Sequence, residues 1–82
     1  MHPIASIELR DNEAILINLK EFKGIKYVDM RVYFESKEVD IMLPSKKGLT
    51  FYVTHLNDLI VGLKEVEEEL QRQYDMQTLS EN

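Results

Sequence analysis

The sequence predicts an α+β domain in which four antiparallel strands are followed by one long C-terminal helix. Through the first 53 residues, apolar side chains alternate with polar ones in short runs, as expected for strands that bury one face. From Thr54 the apolar residues recur at the spacing of an amphipathic helix. Because short polar turns separate the strand-like runs, we expect neighbouring strands to be antiparallel.

The first two strands are predicted at residues 4–10 and 14–22, joined by a polar turn. The second strand has one aliphatic face, and its other face ends in Lys20 and Phe22, two residues apart. A basic and an aromatic side chain therefore lie next to each other just before the following turn.

The third strand is predicted at residues 27–34, after a turn in which Gly24 supplies a positive φ. Alternation places Arg31 on a face with Asp29 and two tyrosines. A cross-strand surface ion pair is the alternative to a ligand contact for this arginine. The opposite face is otherwise apolar and carries Phe34, which has either a core or a stacking role.

The fourth strand is predicted to begin at residue 39. Pro44 cannot donate to a β-ladder, so it is predicted to mark a sheet edge, a bulge or a break in this strand. A second basic segment, Ser45-Lys46-Lys47-Gly48, then forms a turn or a bulge. Residues 49–53 resume the extended run.

The helix is predicted from Thr54, which acts as its N-cap, to about Tyr74. We expect its apolar stripe to cover one face of the sheet, and we interpret the four glutamates between residues 65 and 69 as a solvated face. The domain is predicted to span residues 1–75, and residues 76–82 are predicted to form a frayed polar tail.

Length and composition predict a single domain that needs a partner chain. A chain of 82 residues without cysteine has no disulfide to compensate for a small core. Because 44% of its residues are hydrophobic, we expect the apolar surface that the chain cannot bury by itself to be buried in a homodimer. One helix of this length cannot cover the whole sheet, which also favours a second subunit.

Charge is unevenly distributed along the chain. The net charge is −5, but residues 1–53 carry eight basic and eight acidic side chains, whereas residues 54–82 carry two basic and seven acidic ones. The excess of negative charge therefore lies in the C-terminal third, and the basic residues concentrate in and beside the two lysine–glycine segments.

The sequence disfavours membrane, secreted and catalytic classes. It has neither an apolar run long enough to span a membrane nor a signal peptide. We therefore expect an intracellular protein, cytoplasmic in a prokaryote or phage and nuclear in a eukaryote. No catalytic motif, cofactor fingerprint or metal-ligand cluster is present, and His2 and His55 are the only histidines. We expect no enzyme activity, no cofactor and no metal.

Two lysine–glycine segments bracket a strand that carries Arg31 and aromatic residues. Because cations neutralise phosphates and flat rings stack on bases, this pattern predicts a surface for a nucleic-acid strand. An ordinary hairpin with solvated lysines would have the same pattern, so both interpretations stay open at this point.

Three motifs, in order, resemble the single-stranded-DNA-binding domain of the transcriptional coactivator positive cofactor four. Lys20-Glu21-Phe22-Lys23-Gly24 is similar to the family's basic-acidic-Phe-Lys-Gly turn. Residues 28–34 are similar to its apolar-Asp-apolar-Arg-x-Tyr-Trp strand, with Phe34 in place of the tryptophan. Residues 44–50 are similar to its Pro-x-basic-Lys-Gly-apolar-Ser/Thr segment, and a leucine-striped helix follows. The resemblance covers about residues 5–70.

The resemblance implies a curved four-stranded sheet and a helix, paired as a homodimer whose grooves hold single-stranded or melted DNA. It implies little sequence specificity, a role in transcription, replication or repair, and contacts with the transcription machinery. The positions that it implies for nucleic-acid contact are Lys20, Phe22, Lys23, Gly24, Lys26, Arg31, Phe34, Lys46, Lys47 and Gly48.

Two alternatives stay open. The first is a dimeric protein-interaction module that recruits a transcription factor or polymerase through its acidic helix and binds no nucleic acid. The second is RNA in place of DNA. A continuous positive groove would favour nucleic acid, and a patch interrupted by Glu21, Asp29 and Glu38 would favour the interaction module.

Overall fold

The computed structural model describes residues 3–80, with side chains described as far as residue 77. The elements are β1 (Ala5–Arg10), β2 (Glu13–Phe22), β3 (Ile25–Glu35), β4 (Met42–Tyr52), a short 3₁₀ helix (Val53–His55) and α1 (Leu56–Ser80). The strands form one antiparallel sheet in the order β1-β2-β3-β4. The predicted fold class, a four-stranded antiparallel sheet followed by one C-terminal helix, is confirmed.

The turn between β2 and β3 is a two-residue hairpin. Phe22 pairs with Ile25, and both residues between them have positive φ, 52° at Lys23 and 79° at Gly24. Two successive left-handed residues are the signature of a type I′ turn, whose twist matches that of the flanking strands. Glycine adopts this conformation without strain, as the sequence predicted for Gly24, but lysine does not.

β4 differs from its predicted course. It is continuous from Met42 to Tyr52, so the alternatives of a break at Pro44 and of a turn at residues 45–48 are wrong, whereas those of an edge and of a bulge are confirmed. Residues 45–47 instead form a bulge between the pairs Arg31–Gly48 and Tyr33–Pro44. Pro44 is tolerated because β4 is an edge strand. Residues 39–41, predicted as strand, belong to the β3–β4 turn.

The pairing register defines two faces of the sheet, because residues directly opposite each other point to the same side. The aromatic face carries the even-numbered residues of β2 and the odd-numbered residues of β3, with Thr50 and Tyr52 of β4. The aliphatic face carries the alternate positions, among them Ile7, Ile15, Ile17, Leu19, Val28, Met30, Val32, Leu49 and Phe51.

α1 continues beyond its predicted end near Tyr74 and runs through Ser80. Thr54 lies within the 3₁₀ helix rather than at a helix N-cap, because the chain turns as soon as β4 ends at Tyr52. The division of the chain at residue 75 stays a prediction, and residues 81–82 of the predicted tail lie outside the described residues. No helix among the described residues is long and apolar enough to cross a membrane.

The chain by itself has almost no core. Among the described residues, the buried apolar ones are Ala14 and Val28, while Leu63, Val66 and Leu70 of α1 are half exposed or more. The expectation that the helix covers one face of the sheet within the chain is therefore wrong. The accessible surface is 7260 Å², against about 5,100 Å² expected for a compact monomer of 9.7 kDa. The radius of gyration is 17.1 Å, where a compact chain of this length has about 12 Å.

Candidate nucleic-acid interface

The aromatic face is organised as rows of side chains that run across the strands. One row consists of Lys20, Tyr27 and Tyr52, paired in register across β2, β3 and β4. The adjacent row, farther from the β2–β3 hairpin turn, consists of Asn18, Asp29 and Thr50. Because opposite residues on one face lie within side-chain contact distance, a lysine and two phenol rings form a continuous strip.

Phe22 and Lys23 extend this strip at the hairpin turn. The Phe22 side chain is 66% exposed, and the Lys23 ammonium lies 5.4 Å from the centre of its ring. This distance is within the range of a cation–π contact, which is weak at an exposed site. The turn therefore presents a flat ring and a positive charge together, both accessible to a ligand.

Arg31 is held tightly by its own chain. Its Nη2 and Nε donate to Asp29 Oδ1 at 3.0 and 3.3 Å, and its Nη1 donates to the Ser45 carbonyl at 3.1 Å. The arginine side chain is 23% exposed and the aspartate side chain 4%. Arg31 therefore forms an ion pair, the alternative that the sequence left open, but with Asp29 of its own strand rather than across strands. Asp29 therefore compensates part of the charge that Arg31 brings to the face.

Gly48 makes room for that guanidinium. A Cβ at this position would lie 2.9 Å from the Arg31 Cζ and Nη1 atoms and 2.7 Å from the Met30 carbonyl oxygen. Contacts this short require the neighbours to move, and the carbonyl belongs to the backbone. The glycine therefore allows Arg31 to lie against β4 at the bulge.

Lys46 and Lys47 lie on the bulge itself, which Ser45 holds in place. The Ser45 hydroxyl donates to the Val32 carbonyl at 2.7 Å and accepts from the Lys47 N–H at 3.1 Å. Both lysines are exposed. Two cations thus lie at the edge of the sheet, anchored to the strand that carries Arg31.

Two predicted contact residues lie elsewhere. Lys26 is opposite Glu21, and Phe34 is opposite Glu13 and Leu43, so both lie on the aliphatic face. Phe34 remains 39% exposed. The structure therefore brings together Lys20, Phe22, Lys23 and Arg31 around the aromatic face, with Gly48 beside them, but not Lys26 or Phe34.

Comparison with known proteins identifies the family. The model of the Transcriptional Coactivator p15 (PC4) family matches residues 10–61, which include every predicted contact residue. The chain belongs to the PC4 family. The resemblance drawn from the three sequence motifs is thereby confirmed. No curated protein sequence is similar enough to add a relative to this comparison.

Two solved structures have the same fold. A PC4 homologue from Burkholderia pseudomallei is 24% identical with a TM-score of 0.75, and the match covers 83% of this chain and 90% of that one. The bacteriophage T5 homologue of the eukaryotic transcription coactivator PC4, implicated in recombination-dependent DNA replication, is 22% identical with a TM-score of 0.67. That match covers 94% of this chain and 91% of the phage chain. At these identities, the likeness establishes the fold.

This PC4-family chain also has a cleft that sequence reasoning missed. Its volume is about 560 Å³, and it opens beside the hairpin turn, lined by Phe22, Ile25, Tyr27, Thr50, Phe51, Tyr52 and His55. The alternation of β3 indicated the face of Tyr27. The place of Tyr52 depends on the bulge in β4, so no local pattern could have brought it opposite Tyr27.

The three acidic residues that could have interrupted a positive patch, Glu21, Asp29 and Glu38, do not divide the aromatic face. Glu21 lies on the aliphatic face, Asp29 is buried against Arg31, and Glu38 lies in the β3–β4 turn. Glu8 of β1 lies on the aromatic face, opposite Ala14 and away from the hairpin turn. The cations of the turn and the bulge are therefore not separated by an exposed carboxylate of β2 or β3.

One of these rows contains a buried polar pair. Asn18 and Asp29 are directly opposite each other and are only 6% and 3% exposed. Asn18 Nδ2 and Asp29 Oδ2 have no hydrogen-bond partner.

Among the described residues, no group of three histidines or carboxylates could hold a metal ion. At the end of β3, the side-chain hydrogen bond to Asp40 and the charge of Asp40 raise the pKa of Glu35.

Proposed function

We propose that this chain is a dimeric, non-enzymatic protein that binds single-stranded or melted DNA with little sequence specificity. The observation that carries the proposal is the strip formed by Phe22, Lys20, Tyr27 and Tyr52 on a sheet face that the helix leaves open. Exposed rings beside lysines match what a single strand offers, because every base has a flat face and every nucleotide a phosphate. Membership of the PC4 family supports the same function.

The phosphates would be neutralised by the cations around this strip. Lys20 and Lys23 lie at the hairpin end, and Lys46 and Lys47 line the edge at β4. Arg31 is a weaker candidate for a phosphate contact. Asp29 and the Ser45 carbonyl already accept hydrogen bonds from its Nε–H and from an N–H on each of its terminal nitrogens. We propose that Arg31 mainly shapes the floor of the groove.

Dimer formation would bury what the chain leaves exposed. The excess over a compact monomer is about 2,100 Å² per chain, comparable to each partner's share of an obligate homodimer interface. Many of the exposed large apolar side chains lie on the aliphatic face of the sheet and the apolar stripe of α1, including Ile7, Leu19, Leu49, Leu63, Val66 and Leu70. A second copy supplies a matching surface by symmetry.

The family and the phage structure support different processes. The family is named for a transcriptional coactivator, and the phage T5 homologue is implicated in recombination-dependent DNA replication. A protein that coats transiently unpaired DNA serves either process, because both expose single strands. We propose transcription or replication as the setting.

The alternative is a dimeric interaction module that recruits a protein through α1. It is favoured by the net charge of −5 and by the exposed glutamates between residues 65 and 69. This alternative leaves the exposed rings of the hairpin turn without a function, and we therefore rank it second.

Binding of a labelled oligo-dT tests the proposal directly. We expect oligo-dT to bind far more tightly than a duplex of equal length, because only unpaired bases expose their faces to Phe22 and the tyrosines. Affinity should fall steeply with salt, with a log–log slope of about −0.7 per neutralised phosphate. Fluorescence anisotropy at two salt concentrations, with oligo-rU as the RNA arm, measures both properties.

Equal affinity for duplex and single strand, or no binding at low salt, would reject the proposal. Absence of binding together with capture of a transcription factor or polymerase by α1 would favour the interaction module. Tighter binding of oligo-rU than of oligo-dT would assign the groove to RNA.

A further inference from the structure

We infer that the cleft beside the hairpin turn is a nucleobase site in which Tyr52 and Tyr27 stack on an unpaired base. This inference rests on the proposed function and adds two residues outside the predicted contact set. The motifs pointed to Phe22 and to the lysines, and neither tyrosine was among the predicted contacts. The row Lys20–Tyr27–Tyr52 brings them to the same open face.

The shape and lining of the cleft fit a flat, partly polar ligand. Its volume of about 560 Å³ falls within the range of small-ligand sites. Phe22 is 66% exposed and Tyr52 58% exposed, so two rings on its walls are available without rearrangement. Each tyrosine adds a hydroxyl that donates or accepts a hydrogen bond at a base edge. A purely aliphatic lining would offer neither feature.

The charges around the cleft indicate the rest of the ligand. Lys23 lies over Phe22, and Lys20 is opposite Tyr27. No aspartate or glutamate is among the lining residues, and the nearby Glu21 is on the aliphatic face. A nucleotide satisfies this arrangement with its base in the cleft and its phosphates toward the two lysines.

A helix from a second copy of the chain is the competing occupant. The aliphatic face on the opposite side of the sheet offers a larger and more uniformly apolar surface for such a helix, including Leu19, Met30 and Leu49. The cleft is instead continuous, through Phe22, with the strip proposed to bind single strands. We therefore assign the cleft to the base and the aliphatic face to the partner.

The test separates base contacts from phosphate contacts. The full-length chain is titrated with oligo-dT and with an abasic oligonucleotide that has the same number of phosphates. We expect Tyr52→Leu, which keeps an apolar side chain but loses the ring, to weaken oligo-dT binding roughly tenfold and to leave abasic binding unchanged. Tyr52→Phe should retain most of the oligo-dT affinity because the ring remains.

Tyr27→Leu provides a second variant with the same expected pattern. Sedimentation and thermal melting of each variant accompany the titrations. If the wild type binds oligo-dT and neither leucine variant weakens it, the cleft assignment is wrong while the proposed function stands. If Tyr52→Leu changes the oligomeric state, the cleft belongs to the partner chain and the assignment is also wrong. If the wild type does not bind oligo-dT, the proposed function itself fails.

Discussion

At the scale of single residues, Lys23 has a backbone conformation that is unfavourable for its residue type. It has a φ of 52° in a type I′ turn, a position at which asparagine is strongly preferred. The lysine carries a left-handed strain of roughly 1 kcal/mol and holds its ammonium over the Phe22 ring. Strain that persists in an exposed turn is consistent with selection for binding rather than for stability.

The substitution Lys23→Asn should therefore stabilise the protein and weaken its binding. Asparagine relieves the turn strain, and a gain of about 1 kcal/mol corresponds to roughly 4–8 °C in a domain of this size. Loss of one cation should reduce the magnitude of the log–log salt slope for oligo-dT by about 0.7. Thermal melting and anisotropy titrations at several salt concentrations measure the two effects. A variant that melts no higher would show that the turn is not strained.

At the scale of elements, the bulge in β4 organises the edge of the sheet. It places extra residues opposite Val32, and Ser45 closes it with bonds to the Val32 carbonyl and the Lys47 N–H. It also positions the Ser45 carbonyl to accept from Arg31 and Gly48 to accommodate the guanidinium. The bulge thus connects the buried Asp29–Arg31 pair to the two exposed lysines.

The double variant Lys46→Glu, Lys47→Glu tests whether the bulge binds the strand. Reversing both charges should weaken oligo-dT binding by at least tenfold at low salt and much less at high salt, because the contact is electrostatic. The matched control is Lys37→Glu, Lys64→Glu, which changes net charge equally from positions in the β3–β4 turn and α1. An equal loss in both variants would mean that net charge, rather than the bulge, determines affinity.

At the scale of the whole molecule, the isolated chain is an incomplete folding unit. Few apolar residues of the described part are buried, and α1 extends from the sheet instead of covering it. The principal extents of 53 × 36 × 19 Å describe an open shape. A chain this exposed gains its stability from association, so that folding and dimerisation should be coupled.

Introducing charge into the apolar stripe of α1 should abolish the dimer. We expect the wild type to sediment as a dimer at micromolar concentration, with a melting temperature that rises with protein concentration. Leu63→Glu, Val66→Glu should give an unfolded or monomeric chain with no such dependence. Lys64→Glu is the control, since it causes the same change in net charge on the same helix. A wild type that is monomeric and melts at a concentration-independent temperature would contradict the proposal.

Local sequence patterns predicted part of the candidate site. Alternation along β2 and β3 correctly grouped Lys20 with Phe22, and Arg31 with Asp29, because side-chain direction in a strand repeats every two residues. The same rule put Phe34 with the apolar residues of β3, and the structure places it there. The left-handed turn at Gly24 was likewise local, because glycine relieves a steric restriction within one residue.

The sequence by itself determined the order of the elements, the two faces of β2 and β3, the hairpin at Gly24 and the family. Only the tertiary structure decided that residues 45–47 form a bulge, that Tyr52 meets Tyr27 and that α1 leaves the sheet uncovered. The physical reason is the range of each effect. Alternation and turn conformation follow from neighbouring residues, whereas register across β3 and β4 and the docking of a helix depend on contacts between distant parts of the chain.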